Sequence, residues 1–214
     1  MERKEKAAAV VELLRERYPD TCSLTAEKDY ELLFSTRLSA QCTDARVNIV
    51  TKELYGRFST LQALAEADLE ELCAIVKPCG LFRTKAKDIQ SSARILLERF
   101  GGRVPDTMEE LLTLPGVGRK TANLILSDIY GKPAVVADTH CIRISGRLGL
   151  VPPECGKDPY KVEMALKQVV EPEEQASLCH RLVHFGRDVC TARSPKCAQC
   201  PLLHLCDNAQ KAET

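Results

Sequence analysis

Four cysteines near the end of the chain have a spacing that suits a metal centre. Two prolines in the same segment interrupt regular structure, so the loop can fold back on itself. Zinc sites normally use two close cysteine pairs joined by a long spacer, whereas this segment has one close pair, which favours an iron-sulfur cluster. Zinc, disulfides or four unrelated buried thiols stay open on spacing alone. The cysteines, in a C-x6-C-x2-C-x5-C arrangement, are Cys190, Cys197, Cys200 and Cys206.

The segment between the first two of these cysteines carries two basic residues, Arg193 and Lys196. A bound cluster would hold this loop in place, and fixed cations suit contacts with nucleic-acid phosphates. Two solvated charges in a surface loop account for the same residues equally well. The loop is therefore a candidate phosphate contact.

A turn with two glycines, Leu114-Pro-Gly-Val-Gly-Arg-Lys120, separates two segments with helical periodicity. Such a turn exposes backbone N–H groups at a helix N-terminus, where they can bind one phosphate without reading base sequence. Gly116 and Gly118 would present these groups, although the turn could also serve only to join two helices. Lys120 falls in the first turn of the second helix, where the helix dipole disfavours a charged amine, and is a candidate nucleophile.

A carboxylate precedes another helical segment in Val136-Ala-Asp-Thr-His140. Asp138 has the position of an N-cap, which is the more common role for such an aspartate. If it faced the lysine, it could instead accept the lysine proton or stabilise a developing cation.

The elements that carry these residues are expected to be helices. Apolar residues recur at helical spacing through most of the chain, and no stretch alternates convincingly as a strand would. Gly101-Gly102 predicts a helix end. We therefore predict an all-α protein. Helix starts are predicted at Ser59 with Gln62, Asp68 with Glu71, Thr107 with Glu110, and Asp158 followed by Pro159.

Composition limits the classes of protein to consider. The chain has 214 residues, 44% of them hydrophobic, with 30 basic and 30 acidic side chains, which excludes disorder and collagen. The chain has 11 cysteines, an odd number, and most of them are scattered singly along the sequence. This pattern suits a reducing compartment, where thiols stay free. The N-terminal segment has too short an apolar run for a signal peptide or a membrane span. We expect an untargeted cytoplasmic protein with no membrane partner.

Charge is unevenly distributed along this neutral chain. Residues 77–103 carry seven basic and two acidic side chains. A positive face on a neutral protein can bind polyanions, but a solvated helix face is an equally good explanation. Lys85 belongs to this basic group.

Taken together, these motifs resemble those of the helix-hairpin-helix DNA glycosylases, and the bacterial endonuclease III family in particular. The resemblance covers the full length, and it includes two segments that match the family's DNA-facing loops: Ser39-Ala-Gln-Cys-Thr-Asp44, and Gly80-Leu81 followed by Lys85-Ala-Lys87. Cys42 stands where the family often has alanine. The resemblance implies two helical domains, with a six-helix domain at 22–132 that contains the hairpin. An iron-sulfur cluster domain would be formed by 1–21 with 133–214.

The resemblance also implies an activity in base excision repair. The enzyme would flip a damaged pyrimidine, such as thymine glycol, out of duplex DNA. Lys120 would attack C1′, expel the base and form a Schiff base, and β-elimination would then cut the strand 3′ to the abasic site, with Asp138 assisting. One [4Fe-4S] cluster would be held by the four cysteines, and the protein would act as a monomer, associated with the nucleoid of a bacterial cell.

The implied DNA contacts come from several short segments. Gln41 and Leu81 would fill the gap left by the flipped nucleotide. The remaining contacts would be made by Gly116, Gly118, Arg119, His140, Arg193 and Lys196.

Four other functions are weighed against this one. An adenine glycosylase of the same superfamily usually has a small hydroxyl residue in place of Lys120 and an extra C-terminal domain. A thymine-mismatch glycosylase is also disfavoured by Lys120. A non-catalytic DNA-binding module with a redox-sensing cluster would not need Lys120 or Asp138, and a metal-dependent nuclease would need a carboxylate cluster that is not evident near the hairpin.

Overall fold

A computed structural model of the chain describes residues 2–210. This part of the chain is all α-helical, with no β-strand among the described residues. Its twelve α-helices are α1 (Arg3–Arg15), α2 (Asp29–Leu38), α3 (Asp44–Arg57), α4 (Leu61–Glu66), α5 (Leu69–Val76), α6 (Phe82–Phe100), α7 (Met108–Leu111), α8 (Arg119–Asp128), α9 (Thr139–Leu148), α10 (Pro159–Val169), α11 (Gln175–Asp188) and α12 (Asp207–Gln210).

The helices form two compact units. One unit is the continuous segment Cys22–Tyr130, and the other joins the residues up to Thr21 with the segment from Gly131 onward. Within residues 2–210, no helix has both the length and the apolar character needed to cross a membrane.

The unit Cys22–Tyr130 is built around α6, its longest helix. This helix packs against α2, α4 and α5, while α2 also contacts α3 and α8. The buried face of α6 carries Ile89, Ala93 and Leu96, which follow the spacing expected of an amphipathic helix. Completely buried leucines from the neighbouring helices complete this core: Leu38, Leu54, Leu64, Leu72 and Leu111.

The second unit is discontinuous in sequence. Helix α1 packs against α10 and α11, and α11 also packs against α9. Polar contacts reinforce this arrangement: the Arg181 guanidinium donates to Asp20 at 3.0 Å, and the Tyr18 hydroxyl donates to Asp188 at 2.8 Å. The N-terminal helix is thus an integral part of the unit that carries the four closely spaced cysteines.

Local sequence signals explain most helix ends. Asp68, Thr107 and Asp158 are N-caps whose side chains accept backbone N–H bonds, as predicted. The prediction of a cap at Ser59 was wrong: Thr60 is the N-cap of α4, and its hydroxyl accepts from the Ala63 N–H at 3.0 Å. Helix α6 ends at Phe100, with Gly101 in the left-handed conformation (φ 59°).

The placement of Lys85 in a basic surface group was also wrong. Its side chain is 0% exposed, on the same face of α6 as Ile89 and Ala93. Adding up charges along the sequence ignores which helix face each residue occupies, whereas the i, i+4, i+8 spacing of these three residues predicts a shared face. Arg83 and Lys87 are exposed, as expected.

Candidate functional site

The turn between α7 and α8 has the form expected of the glycine hairpin. The Val117 N–H donates to the Leu114 carbonyl at 3.1 Å, and Gly116 adopts a left-handed conformation with φ 73°. Gly118 is the N-cap of α8 and has no side chain to occupy the helix end. The first-turn N–H groups of α8 therefore lack a side-chain cap from this position, as an anion-binding helix N-terminus requires.

An ion pair lies directly beneath the hairpin. Arg37 Nε donates to Asp88 Oδ2 at 2.8 Å, and both side chains are mostly buried. A Cβ atom at Gly116 would lie 2.5 Å from Asp88 Oδ2 and 2.7 Å from Arg37 Cδ. Glycine is therefore required at this position for its close packing as well as for its backbone conformation.

Lys120 is exposed in the first turn of α8, two residues after Gly118. Arg119, the first residue of the helix, is partly buried. The sequence prediction that this lysine lies in the first turn of the helix after the hairpin is confirmed by the helix bounds. The structure therefore leaves the amine of Lys120 accessible beside the glycine hairpin.

Gln41 and Leu81 share an uncommon backbone conformation. They are the two non-glycine residues with positive φ in residues 2–210, at 57° and 48°. Gln41 follows the end of α2, and Leu81 is the N-cap of α6. Left-handed backbone costs a non-glycine residue about 1–3 kcal/mol, so such residues cluster where function requires them. Both side chains are exposed, Leu81 by 57%.

Asp138 is the N-cap of α9. Its Oδ1 accepts the backbone N–H of Cys141 at 2.7 Å. The N-cap role considered from the sequence is therefore present. One carboxylate oxygen can cap the helix while the charge of the group stays available to the surroundings.

His140 lies in the first turn of the same helix. Its Nδ1 is 3.1 Å from an Arg143 terminal nitrogen. Gly186 of α11 lies against this pair, since a Cβ there would come within 2.9 Å of the Arg143 guanidinium and still closer to the imidazole. The small residue on α11 thus allows His140 and Arg143 to pack closely.

The four closely spaced cysteines line one cavity after α11. Phe185 and Leu203 add apolar walls to this cavity. All four side chains are free thiols in the structure. Burial raises the pKa of the Cys200 thiol, and the charges of Cys190, Cys206 and Cys197 raise it further. A cation or a cationic cluster between the sulfurs would reverse that repulsion.

Arginines of α9 hold the cysteine loop in place. Arg147 Nη1 donates to Cys190 Sγ at 3.3 Å and to the Thr191 carbonyl at 2.8 Å. Arg143 donates to the Cys190 carbonyl at 2.9 Å. The sequence analysis missed both arginines. They follow His140 and are four residues apart, a spacing that predicts one shared helix face.

The two basic residues of the loop point outward. Arg193 and Lys196 are exposed, and Lys196 Nζ is 3.7 Å from the exposed carboxylate of Asp188. An exposed pair of this kind contributes little to stability. These cations are therefore accessible to a polyanion.

Comparisons with known proteins agree with these features. A model of the HhH-GPD superfamily of base excision DNA repair proteins matches residues 34–172. A model of the iron-sulfur binding domain of endonuclease III matches residues 190–206, which include all four cysteines. This segment is therefore an iron-sulfur binding region.

The relatives are similar over nearly the full chain. Endonuclease III of Synechocystis is 44% identical over 210 residues, covering 97% of this chain and 94% of the relative. Endonuclease III of Bacillus subtilis is 45% identical over 192 residues, covering 90% and 87%. A solved structure of a trapped covalent intermediate between endonuclease III and DNA is 39% identical, with a TM-score of 0.91 and complete coverage of both chains. The chain belongs to the endonuclease III family, within the HhH-GPD superfamily of base excision DNA repair proteins.

Proposed function

We propose that this DNA glycosylase of base excision repair is bifunctional, removing oxidised or ring-damaged pyrimidines and cutting the abasic site as a lyase. Lys120 carries the proposal, because an exposed amine in the first turn of α8 follows the hairpin directly. The solved relative that formed a trapped covalent intermediate with DNA supports covalent chemistry in this family. Thymine glycol in duplex DNA is the substrate with which we would test it.

In the proposed reaction, Lys120 Nζ forms a bond to C1′ of the flipped nucleotide while the bond from C1′ to the base breaks. Asp138 accepts the lysine proton or stabilises the positive charge that develops on the sugar. The departing base takes up a proton from the attacking nitrogen, and the C1′–O4′ bond then breaks with protonation of O4′, which leaves an iminium between Lys120 and C1′. C2′ loses a proton, the C3′–O bond breaks to release the phosphate, and water finally hydrolyses the iminium to free the lysine. The products are a free base and a strand cut on the 3′ side of the lesion.

Several exposed groups would hold the DNA. Gln41 and Leu81, here called the gap-filling residues, would occupy the space vacated by the flipped nucleotide. The backbone N–H groups at Gly116 and Gly118 would bind a phosphate, with Arg119 alongside. His140 would contact the backbone near the lesion, and Arg193 and Lys196 would bind the strand from the cysteine loop.

We propose that the iron-sulfur group is one [4Fe-4S] cluster on Cys190, Cys197, Cys200 and Cys206. The match of residues 190–206 to the iron-sulfur binding domain of endonuclease III supports the proposal, and so does the single pocket that the four cysteines line. When bound, the cluster supplies iron–thiolate bonds that cross-link the loop. Arg147, which already donates to Cys190 Sγ, would stabilise the thiolate, and the fixed loop would present its two cations to DNA.

Borohydride trapping tests the central step. The protein is incubated with a duplex containing one thymine glycol, reductant is added, and covalent protein–DNA bands are resolved by gel. We expect a band with the native protein and with the control Lys161→Ala, an exposed lysine on α10, and none with Lys120→Ala. Release of the base without any band would indicate a monofunctional glycosylase. Binding without reaction would favour a non-catalytic module, and loss of cleavage in EDTA would favour a metal nuclease.

Metal analysis tests the cluster. The purified protein should be brown and contain about four iron atoms per chain. Zinc in place of iron would refute the proposal. Chromatography with light scattering, in turn, should give the mass of a single chain if the protein acts as a monomer.

A further inference from the structure

Lys85 is a buried cation whose hydrogen bonds connect two separate loops. Its Nζ donates to the backbone carbonyls of Leu38 at 2.9 Å, Ala40 at 2.7 Å and Cys79 at 2.8 Å. An ammonium has three N–H donors, so all of them are used. Burial lowers the pKa of Lys85. A lysine is rarely buried without a specific task for its charge, because desolvation of the ammonium is unfavourable.

The three carbonyls lie just before the two gap-filling residues. The Ala40 carbonyl belongs to the peptide group that joins Ala40 to Gln41, and the Cys79 carbonyl lies two residues before Leu81. In addition, the backbone N–H of Lys85 donates to the Leu81 carbonyl at 3.0 Å. The ammonium of Lys85 therefore fixes the backbone on the N-terminal side of both Gln41 and Leu81. The Lys85 N–H bond to Leu81 belongs to the first turn of α6 and does not depend on the side chain.

The Cys79 side chain does not neutralise this ammonium at pH 7. Burial and the adjacent Cys42 thiol raise the pKa of Cys79 to about 11, so that its side chain stays neutral. The stabilisation of Lys85 thus comes from carbonyl dipoles, which have to be held in a fixed orientation to replace water. Because these carbonyls are fixed, the backbone at Gln41 and Leu81 is kept in its left-handed conformation and does not relax to a more favourable one.

We propose that Lys85 is a positioning residue that sets the two gap-filling side chains for insertion into DNA. It touches neither the substrate nor the reacting atoms, and it acts through the backbone at Gln41 and Leu81. This inference rests on the proposed function, since it requires these two side chains to enter the duplex. It differs from a purely structural role because its effect depends on the presence of those side chains.

The first experiment is a double-mutant cycle on the full chain. Single-turnover rate constants for thymine glycol opposite adenine are measured for the native protein, Lys85→Met, the double variant Gln41→Ala/Leu81→Ala, and all three changes combined. We expect Lys85→Met to lower the rate constant about tenfold in the native background, and less than about twofold when the gap-filling side chains are absent. Equal losses in both backgrounds would overturn the inference.

Two controls separate positioning from general damage to the fold. Gln90→Met removes another buried donor of α6, whose amide donates to the Ala67 carbonyl at 2.6 Å, far in sequence from both loops. It should not change the rate constant. The second control places the lesion opposite an abasic analogue, where no base pair has to be broken. There the effect of Lys85→Met should shrink, and an effect of the same size on both duplexes would count against the inference.

If Lys85→Met does not fold, Lys85→Arg is measured with the same pair of duplexes. A planar guanidinium keeps the charge but does not match three carbonyls arranged around one nitrogen. Lys85→Arg should give a smaller loss of rate constant that is still greatest opposite adenine, and a uniform loss on both duplexes would refute positioning.

If Gln41→Ala/Leu81→Ala itself has no effect, the gap-filling assignment fails. If that double variant is impaired but Lys85→Met and Lys85→Arg are not, the inference about Lys85 alone fails.

Discussion

The close packing at Gly116 gives a stability prediction that the structure makes quantitative. Gly116→Ala adds a Cβ to a backbone with φ 73°, at a cost of about 1 kcal/mol. The new atom would also lie 2.5 Å from Asp88 Oδ2, so the ion pair between Arg37 and Asp88 has to move. Disturbing this mostly buried pair should cost about 1–2 kcal/mol more. We expect the free energy of unfolding to fall by about 2–3 kcal/mol.

Gly101→Ala is the matched control. Gly101 lies in the same unit with φ 59°, but a Cβ there meets nothing within 4 Å. It should lose only the backbone contribution of about 1 kcal/mol. Urea unfolding followed by circular dichroism measures both variants, and thermal scans should show Gly116→Ala melting about 2–8 °C below Gly101→Ala. Equal losses in the two variants would show that the ion pair beneath the hairpin adapts without cost, contrary to the packing argument.

Three further predictions concern charge. Asp138→Asn should keep the helix cap, so its free energy of unfolding should stay within about 0.5 kcal/mol of the native value, yet cleavage should be abolished. Asp138→Ala should also abolish cleavage and should lose about 1 kcal/mol in urea unfolding. Full activity of the asparagine variant would contradict a role for the carboxylate charge. The logarithm of the affinity for damaged duplex, measured by fluorescence anisotropy, should fall linearly with the logarithm of the salt concentration. In Arg193→Ala the slope should be shallower by about one. A flat response of the native protein would argue against the DNA contacts. Burial and Cys42 raise the pKa of Cys79 to about 11 from an ordinary 9.0. Between these two pH values the native state therefore binds more protons than the unfolded state, so the free energy of unfolding should fall as pH rises from 9 to 11. Urea unfolding should show this fall to be smaller in Cys79→Ala, by up to about 2 kcal/mol, and identical pH profiles would refute it.

Local sequence signals predicted the helices well because capping and periodicity depend on neighbouring residues. Asp68 and Thr107 cap the helices that they precede, and Lys120 lies in the first turn of α8, directly after the hairpin. Where two adjacent residues could both cap, as at Ser59 and Thr60, the chemistry of the side chains does not choose between them. In the structure, Thr60 is the residue with the extended backbone of an N-cap, and its hydroxyl accepts the Ala63 N–H.

Lys85 shows what the sequence could not reveal by charge alone. Its partners are backbone carbonyls from two loops about 40 residues apart, and carbonyls carry no sequence signature. The positive φ at Gln41 and Leu81 was equally hidden, since glycine usually marks such positions. The cysteines, in contrast, were recognisable because four ligands fall in one short segment. Distant contacts between side chain and backbone are therefore the part of this site that only the structure provides.

The discontinuous unit has a consequence for how the chain matures on the ribosome. Helix α1 is synthesised before its partners α10 and α11, which emerge only after the whole segment Cys22–Tyr130 has been made. At about 5–20 residues per second, roughly 10–40 seconds pass between Thr21 and the last of the four cysteines. During this interval the apolar face of α1, with Val10 and Leu14, lacks its native contacts. The unit Cys22–Tyr130 can already fold in the same interval. The four cysteines are complete only when Cys206 has been made, and nascent chains that stall before it should present α1 to chaperones.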